Sequence, residues 1–330
     1  MTTDDAAVTP DPALEDALRA GLAQVEEALH EAVKSDYPFV TEASRHLVDA
    51  GGKRSRPLLA LLAAQLGDPA APGVVPAAVV VELTHLATLY HDDVMDEADL
   101  RRGAASANAR WDNSVAILTG DFLFARASDI LADLGPEAVR LQARTFERLV
   151  TGQIRETVGP DEGADAVEHY LAVLADKTGS LIATSARFGA MLSGADEQSV
   201  DVVTRYGERF GVAFQLSDDL LDVLSESTES GKTPGTDLRE GIPTLPVLLM
   251  RRVARPEDAR LLELLDSGLA DDVDFREALT LLRAHPAMGE AQAEVARWAD
   301  AARESLAPLP DSPVKAALEA LCHQVVGRAR

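Results

Sequence analysis

Residues 74 to 96 read VVPAAVVVELTHLATLYHDDVMD, and residues 97 to 103 continue EADLRRG. Val80, Leu83, Thr84, Ala87 and Tyr90 or His91 recur at spacings of three and four, the period of a helix that buries one stripe of its surface. The pattern predicts a helix from Pro76 to Leu100 that runs straight into a crowd of acids, Asp92, Asp93 and Asp96. No comparable stretch alternates with the period of two that a half-buried strand requires. Breakers instead divide the chain into runs of helix length: Pro10 and Pro12, GGKRSRP at 51 to 57, GDPAAPG at 67 to 73, GPDEGAD at 159 to 165, SESTESGKTPGTD at 225 to 237 and APLPDSP at 307 to 313. The expected fold class is all-α, with about a dozen helices on short loops and the largest connection after Val223.

Composition points the same way. Apolar residues make up 46% of the 330 but aromatics only 4%, and the Ala, Leu and Val that dominate suit close-packed helices. A chain of this length buries roughly three quarters of its unfolded surface. We expect one domain over residues 1 to 330, with 1 to 12 as a disordered N-terminal tail. The formal net charge of -24 repels phosphate backbones, which argues against nucleic acid as a general partner. An anionic ligand must therefore be caught by a local group of cations. The opening MTTDDAAVTPDP lacks the basic and apolar regions of a secretory signal, and no uninterrupted apolar run approaches ~20 residues. A cytoplasmic location without stable membrane insertion is the expectation. A single cysteine, Cys322, allows no internal disulfide and no cysteine-based zinc cluster.

The acid cluster has an echo. HDDVMD at 91 to 96 is matched by SDDLLD at 217 to 222, again at the end of an apolar run. Residues four apart share a helix face, so Asp92 projects beside Asp96 and Asp218 beside Asp222, with Asp93 and Asp219 flanking. Two carboxylates about 6 Å apart repel by roughly 3 kcal/mol at an effective dielectric of about 20. One such cluster in so acidic a chain is a weak signal that a solvated face would explain. Two, each following an apolar run, call for a cation. Carboxylate oxygens suit Mg²⁺, which keeps several waters and shares its remaining positions with phosphate oxygens. His91, one imidazole beside hard carboxylates, fits an orienting or packing role better than a zinc site.

Basic residues narrow the chemistry. Lys53, Arg54 and Arg56 lie on a Gly-rich turn leading into a helix, where backbone N–H groups favour an anion. His85 precedes the first cluster on its own run, and Arg101 and Arg102 follow it. Lys177 and Thr178 in ADKTGSLI, Gln215 in AFQLSDD, and Lys232 with Asp237 in GKTPGTD come later. Singly, each would be a surface salt-bridge partner. Interleaved with two acid clusters, they read as seats for two polyphosphate groups, one bridged by Mg²⁺ and one held directly by cations.

GGKRSRP, ELTHLATLYHDDVMDEADLRRG, DKTGSLI, AFQLSDDLLD and GKTPGTDLREG occur in that order between about residues 45 and 250. In this ordered set the chain resembles the trans-type polyprenyl diphosphate synthases, which elongate an allylic diphosphate with isopentenyl diphosphate. The resemblance implies a helical bundle around a central cavity and a homodimer. It implies that Asp92, Asp93, Asp96, Asp218, Asp219 and Asp222 hold Mg²⁺ against the allylic diphosphate, which Arg101, Lys177 and Lys232 also contact, with Gln215 and Thr178 nearby. Lys53, Arg56, His85 and Arg102 would hold isopentenyl diphosphate without metal. Two positions depart from the family pattern: Ser55 replaces a leucine, and Ile242 replaces a lysine common after the Asp237 motif, so that contact is not carried over.

Product length is read from Ala87 and Thr88, about one helical turn before Asp92. In the family, bulky aromatics there close the pocket early, so small residues imply a product longer than C20. A geranylgeranyl or farnesyl diphosphate synthase is the alternative within the family. A class I terpene cyclase would also ionise an allylic diphosphate with aspartates and Mg²⁺, but it needs no second diphosphate seat. A non-catalytic regulatory subunit would usually lack some of the aspartates, and none is missing here.

Overall fold

In a computed structural model, residues 11 to 225 and 234 to 329 are described. Sixteen α-helices follow one another among them, more than the dozen expected. They are α1 (Pro12–Ala32), α2 (Pro38–Asp49), α3 (Ser55–Ala64), α4 (Val74–Met95), α5 (Ala107–Arg110), α6 (Asn113–Leu134), α7 (Pro136–Val158), α8 (Ala166–Leu174), α9 (Ser180–Leu192), α10 (Glu197–Leu224), α11 (Thr236–Arg239), α12 (Leu245–Val253), α13 (Ala259–Ser267), α14 (Asp272–Ala284), α15 (Pro286–Ser305) and α16 (Pro313–Arg328). The all-α class holds, with one two-stranded ribbon, Leu100–Arg101 against Ala104–Ala105, as the exception among the described residues.

One expected boundary is corrected. Pro12 does not belong to a tail: it opens α1, and the Asp11 side chain accepts from the N–H groups of Ala13 and Leu14. Asp followed by Pro is a helix start signal, with the carboxylate capping orphan donors and the fixed proline φ suiting the first turn. By its contacts the chain divides into two units, each assembled from three stretches of sequence, with divisions inside α7, α9, α10 and α16 and in the loop between α15 and α16.

The first unit comprises Met1–Glu147, Leu181–Gly207 and Pro308–Leu318. Its centre is α4, which packs against α1, α3 and α6 and buries Leu83, Leu86, Ala87 and Tyr90 completely. Each large apolar side chain so buried contributes roughly 1.5–3 kcal/mol. α4 is the one described helix long and apolar enough to cross a membrane, and most of it is buried by its neighbours. Helices approach closely where glycine allows it: a Cβ on Gly189 would lie 1.9 Å from the carbonyl oxygen of Ala60.

The second unit comprises Arg148–Ser180, Glu208–Ala307 and Glu319–Arg330. Within it α12 packs on α8 and α15, and α14 on α13 and α15. Arg209 donates to the carbonyl of Ala301 and to Ser305 Oγ, and Ser217 Oγ donates to the carbonyl of Val325, tying α10 to α15 and α16.

Candidate active site

The first acidic cluster sits on a helix end of unusual construction. α4 stops at Met95, short of the Leu100 expected from periodicity. The N–H of Ala98 donates to the carbonyl of Asp93 at 3.0 Å and that of Glu97 to the carbonyl of Val94 at 3.4 Å, while Glu97 holds φ 49. This is the Schellman termination, with glutamate in the left-handed position usually given to glycine. The chain then turns into the ribbon, where Leu100 pairs with Ala105 and Arg101 with Ala104, and Arg102 (φ 55) and Gly103 (φ 78) form its turn. Arg54, at φ 46, is the remaining non-glycine residue in the left-handed region among the described residues, so all three lie beside the predicted diphosphate residues. Backbone strain of this kind concentrates where function fixes geometry.

The three carboxylates of this cluster are not equivalent. Asp96 is exposed and Asp92 half-buried, whereas Asp93 is fully buried. Asp93 Oδ1 accepts from Arg101 Nε at 2.5 Å, and its Oδ2 is buried without a hydrogen-bond partner. Burial raises the Asp93 pKa against the opposing pull of Arg101. Carboxylates at a helix C-terminus also face the negative end of its dipole. The orphaned oxygen and the all-carboxylate donor set fit a hard divalent cation. Among the described residues no three ligating side chains converge on one point. That suits Mg²⁺, which is bound through one or two carboxylates, waters and substrate phosphates.

The guanidinium groups of Arg54, Arg56, Arg101 and Arg102 stand near His85. Arg54 is committed structurally: it donates to Glu26 at 2.8 and 2.9 Å, to the buried Glu82 at 2.9 Å and to the carbonyl of Val48 at 3.0 Å. Its neighbours Lys53, exposed, and Arg56, half-buried, lie on either side of it along the turn. Arg102 donates to the carbonyls of Gly51 and, at 3.0 Å, Leu47, with Glu82 3.9 Å away. Burial first, then the guanidinium groups of Arg56, Arg102, Arg101 and Arg54, hold the His85 pKa well below 6.5. With Arg54 spent on Glu26 and Glu82, the neutral imidazole beside Arg56, Arg101 and Arg102 makes a local positive field that favours an anion.

In the second unit, the segment Ala175–Gly179 is one turn of π-helix between α8 and α9. It carries Lys177 and Thr178, and such bulges recur at functional sites. Arg148 holds it, donating to Asp176 at 3.1 Å, to the carbonyl of Ala175 at 3.3 Å and to Glu208 at 2.5 and 3.0 Å, while Arg155 reaches Asp176 at 2.7 Å. A Cβ on Gly152 would lie 2.7 Å from the backbone nitrogen of Lys177, so α7 can approach this segment only with glycine there. Lys177 itself pairs with Glu156 at 2.5 Å.

The second acidic cluster lies in the last turns of α10. Asp218 pairs with Arg328 at 2.7 Å. Asp222 accepts from the backbone N–H groups of Thr236 and Asp237 at 3.2 and 3.0 Å, capping the short α11. Asp219 accepts from the Tyr170 hydroxyl and from Gln215 Nε2 at 2.8 Å, and Gln215 Oε1 accepts from Thr178 Oγ1 at 3.0 Å. Burial, opposed by the Tyr170 and Gln215 hydrogen bonds, pushes the Asp219 pKa up to about 6. Lys232 lies outside the described residues, as does part of the long connection after Val223. Ile242 is 40% exposed, its N–H donating to the Asp237 carbonyl at 2.8 Å.

Sequence reasoning missed Tyr170, Glu26, Glu82 and Arg148. No local pattern marks Tyr170, whereas the buried Glu82 inside an apolar run is a signal that a cation must meet it. The two chain-length positions are placed differently from each other: Ala87 is fully buried, and Thr88 is half-buried with its hydroxyl on the His85 carbonyl. Neither lines the cavity of about 480 Å³ that opens beside His91 and is walled by Phe124, Leu131, Val139, Ala143 and Phe146.

The family model described as Polyprenyl synthetase matches residues 37–282. Over 313 residues the chain is 52% identical to nonaprenyl diphosphate synthase of Mycobacterium tuberculosis, covering 94% of this chain and 93% of that one. Dimethylallyltranstransferase of the same organism is 43% identical over 317 residues, with 96% of each chain covered. The crystal structure of geranylgeranyl pyrophosphate synthase from Corynebacterium glutamicum, complexed with calcium and isoprenyl diphosphate, superposes with a TM-score of 0.87 at 48% identity, covering 98% of this chain and 99% of that one. With its all-α fold and its ordered acidic and basic motifs, the chain belongs to the polyprenyl synthetase family of prenyltransferases.

Proposed function

We propose that the protein condenses isopentenyl diphosphate head to tail with an allylic diphosphate, giving an all-trans polyprenyl diphosphate longer than geranylgeranyl diphosphate. The observation that carries this reading is the repeated acid cluster at the C-terminal ends of α4 and α10, each with a cationic residue in contact, Arg101 with Asp93 and Arg328 with Asp218. Asp92, Asp93, Asp96 and Asp218 would hold Mg²⁺, Asp93 through its unpartnered Oδ2, with Asp219 and Asp222, whose oxygens accept from Tyr170, Gln215 and the start of α11, supporting them. Bound there, Mg²⁺ would stabilise the charge that develops on the departing diphosphate.

The remaining work falls to the chain's own residues. Lys177 and Arg101 bind the allylic diphosphate, Lys177 exchanging Glu156 for it. Lys232 joins them in this proposal. Lys53, Arg56, Arg102 and neutral His85 bind isopentenyl diphosphate, His85 as a hydrogen-bond donor rather than a charge. Thr178 and Gln215 present oxygen atoms that stabilise the allylic cation electrostatically. Exclusion of water prevents its capture as an alcohol.

Product length is supported by the small side chains of Ala87 and Thr88 and by the similarity to the nonaprenyl synthase. The cavity beside His91, walled by Phe124, Leu131 and Phe146, offers the growing tail an apolar path within the first unit. A cytoplasmic homodimer completes the reading. Ile117 and Leu118 on α6 and Val139, Val150 and Ile154 on α7 are exposed apolar residues of the kind that a second copy would cover.

Incubation with Mg²⁺, labelled isopentenyl diphosphate and each short allylic starter, with products sized after dephosphorylation, tests the proposal. Incorporation into a series of lengthening chains is expected. A cyclised hydrocarbon made without isopentenyl uptake would instead identify a terpene cyclase.

A further inference from the structure

Asp219 spends both of its oxygens inside the second unit. Tyr170 on α8 donates its hydroxyl to Oδ2, and Gln215, one turn earlier on α10, donates Nε2–H to Oδ1 at 2.8 Å. Gln215 Oε1 in turn accepts from the Thr178 hydroxyl on the π-helical turn, at 3.0 Å. An ionised carboxylate only accepts hydrogen bonds. Gln215 must therefore turn its NH₂ toward Asp219 and its oxygen toward Thr178, and Thr178 must donate. The polarity of the whole chain follows from one carboxylate. Tyr170 stands at the anchored end, its hydroxyl donating to Asp219 Oδ2.

We propose that Tyr170 is a positioning residue for the condensation: by holding Oδ2 of Asp219 it fixes the orientation in which Gln215 and Thr178 present their oxygens to the allylic carbons. The inference rests on the function proposed above. The terminal torsion of a carboxylate is broad and two-fold, so without the phenol Asp219 rotates and releases the Gln215 amide to flip. Oxygen dipoles that are not pre-aligned must reorganise as the cation forms, and their stabilisation of it weakens. Substrate binding is spared, because neither diphosphate seat includes Tyr170.

The test compares Tyr170→Phe in three backgrounds by the labelled isopentenyl assay: wild type, Thr178→Val and Thr178→Ser. In the wild-type background kcat should fall about tenfold, the loss of one positioning hydrogen bond, with KM for both diphosphates within about twofold; the thermal midpoint should fall, because buried Asp219 loses a donor, and the assays are run well below it. In Thr178→Val, where the chain is already cut, the same substitution should cost less than about twofold. In Thr178→Ser, which keeps the hydroxyl, the tenfold cost should return. A Tyr170→Phe enzyme with wild-type kcat, or an equal loss in all three backgrounds, means that Tyr170 merely packs, and overturns the proposal while condensation stands. A wild-type protein that incorporates no isopentenyl diphosphate overturns both readings.

Discussion

Arg101 donates its Nε–H to the buried Oδ1 of Asp93 at 2.5 Å, so the basic residue that follows the first acidic cluster is joined to that cluster before any ligand arrives. The pairing supports a buried charge whose other oxygen has no partner. Arg101→Ala should therefore destabilise the protein by about 3 kcal/mol, the scale for stripping one partner from a buried ion pair. Asp93→Asn should cost less, because it removes the charge itself, and the double variant should cost less than the sum. Urea unfolding midpoints check this; an unchanged midpoint for Arg101→Ala would contradict it.

Glu97 occupies the left-handed position of the Schellman termination at the end of α4. Glycine adopts that conformation without the Cβ penalty, so Glu97→Gly should raise stability by about 0.5–1 kcal/mol. Thermal denaturation reads the difference. A loss of stability would mean that the glutamate side chain contributes more than its backbone strain costs.

His85 is held neutral by burial and by the surrounding guanidinium groups. The sign follows from linkage: its folded pKa lies below 6.5, so the unfolded chain takes up a proton first as pH falls. The stability linked to His85 is complete above 6.5 and is lost progressively below it, toward the folded pKa. His85→Gln should flatten the stability–pH curve on the acid side of 6.5. Side-chain NMR of wild type should show His85 still neutral where an exposed histidine is half protonated; ordinary titration there would rule out the neutral donor role.

Product length gives two independent variants. Ala143→Trp projects into the cavity beside His91, and Ala87→Phe adds bulk one turn before the acid cluster. Each should shift the product ladder to shorter chains while initial isopentenyl uptake stays within about threefold of wild type. Chromatography of the dephosphorylated products distinguishes the routes. An unchanged ladder in Ala143→Trp would remove the cavity as the path of the tail, and an unchanged ladder in Ala87→Phe would remove the inference from small residues.

What the sequence made legible was periodic or clustered. The helical period of α4 and the repeated acids at the ends of α4 and α10 are local patterns that the structure keeps, although α4 is buried on every side from Ala77 to Thr84 rather than along one stripe. What escaped depends on partners distant in sequence. The halt of α4 at Met95 comes from backbone bonds around Glu97 that periodicity does not encode. Arg54 looks like its neighbours Lys53 and Arg56 until Glu26 and Glu82 are brought against it. The π-helical turn under Lys177 needs Arg148 and Gly152 from another helix, and Tyr170 acquires meaning only beside Asp219. At the N-terminus the signal was present but read as a breaker: Asp11 and Pro12 form a helix start.

The central claim is that Asp92, Asp93, Asp96 and Asp218 grip a substrate diphosphate through divalent ions. A crystal structure with Mg²⁺ and an unreactive allylic thiodiphosphate tests it most directly. The account predicts ions bound to carboxylates of both clusters and to the same diphosphate, with Lys177 moved from Glu156 onto that group. A diphosphate bound elsewhere, with both sets of aspartates turned to solvent and no metal on them, would contradict it.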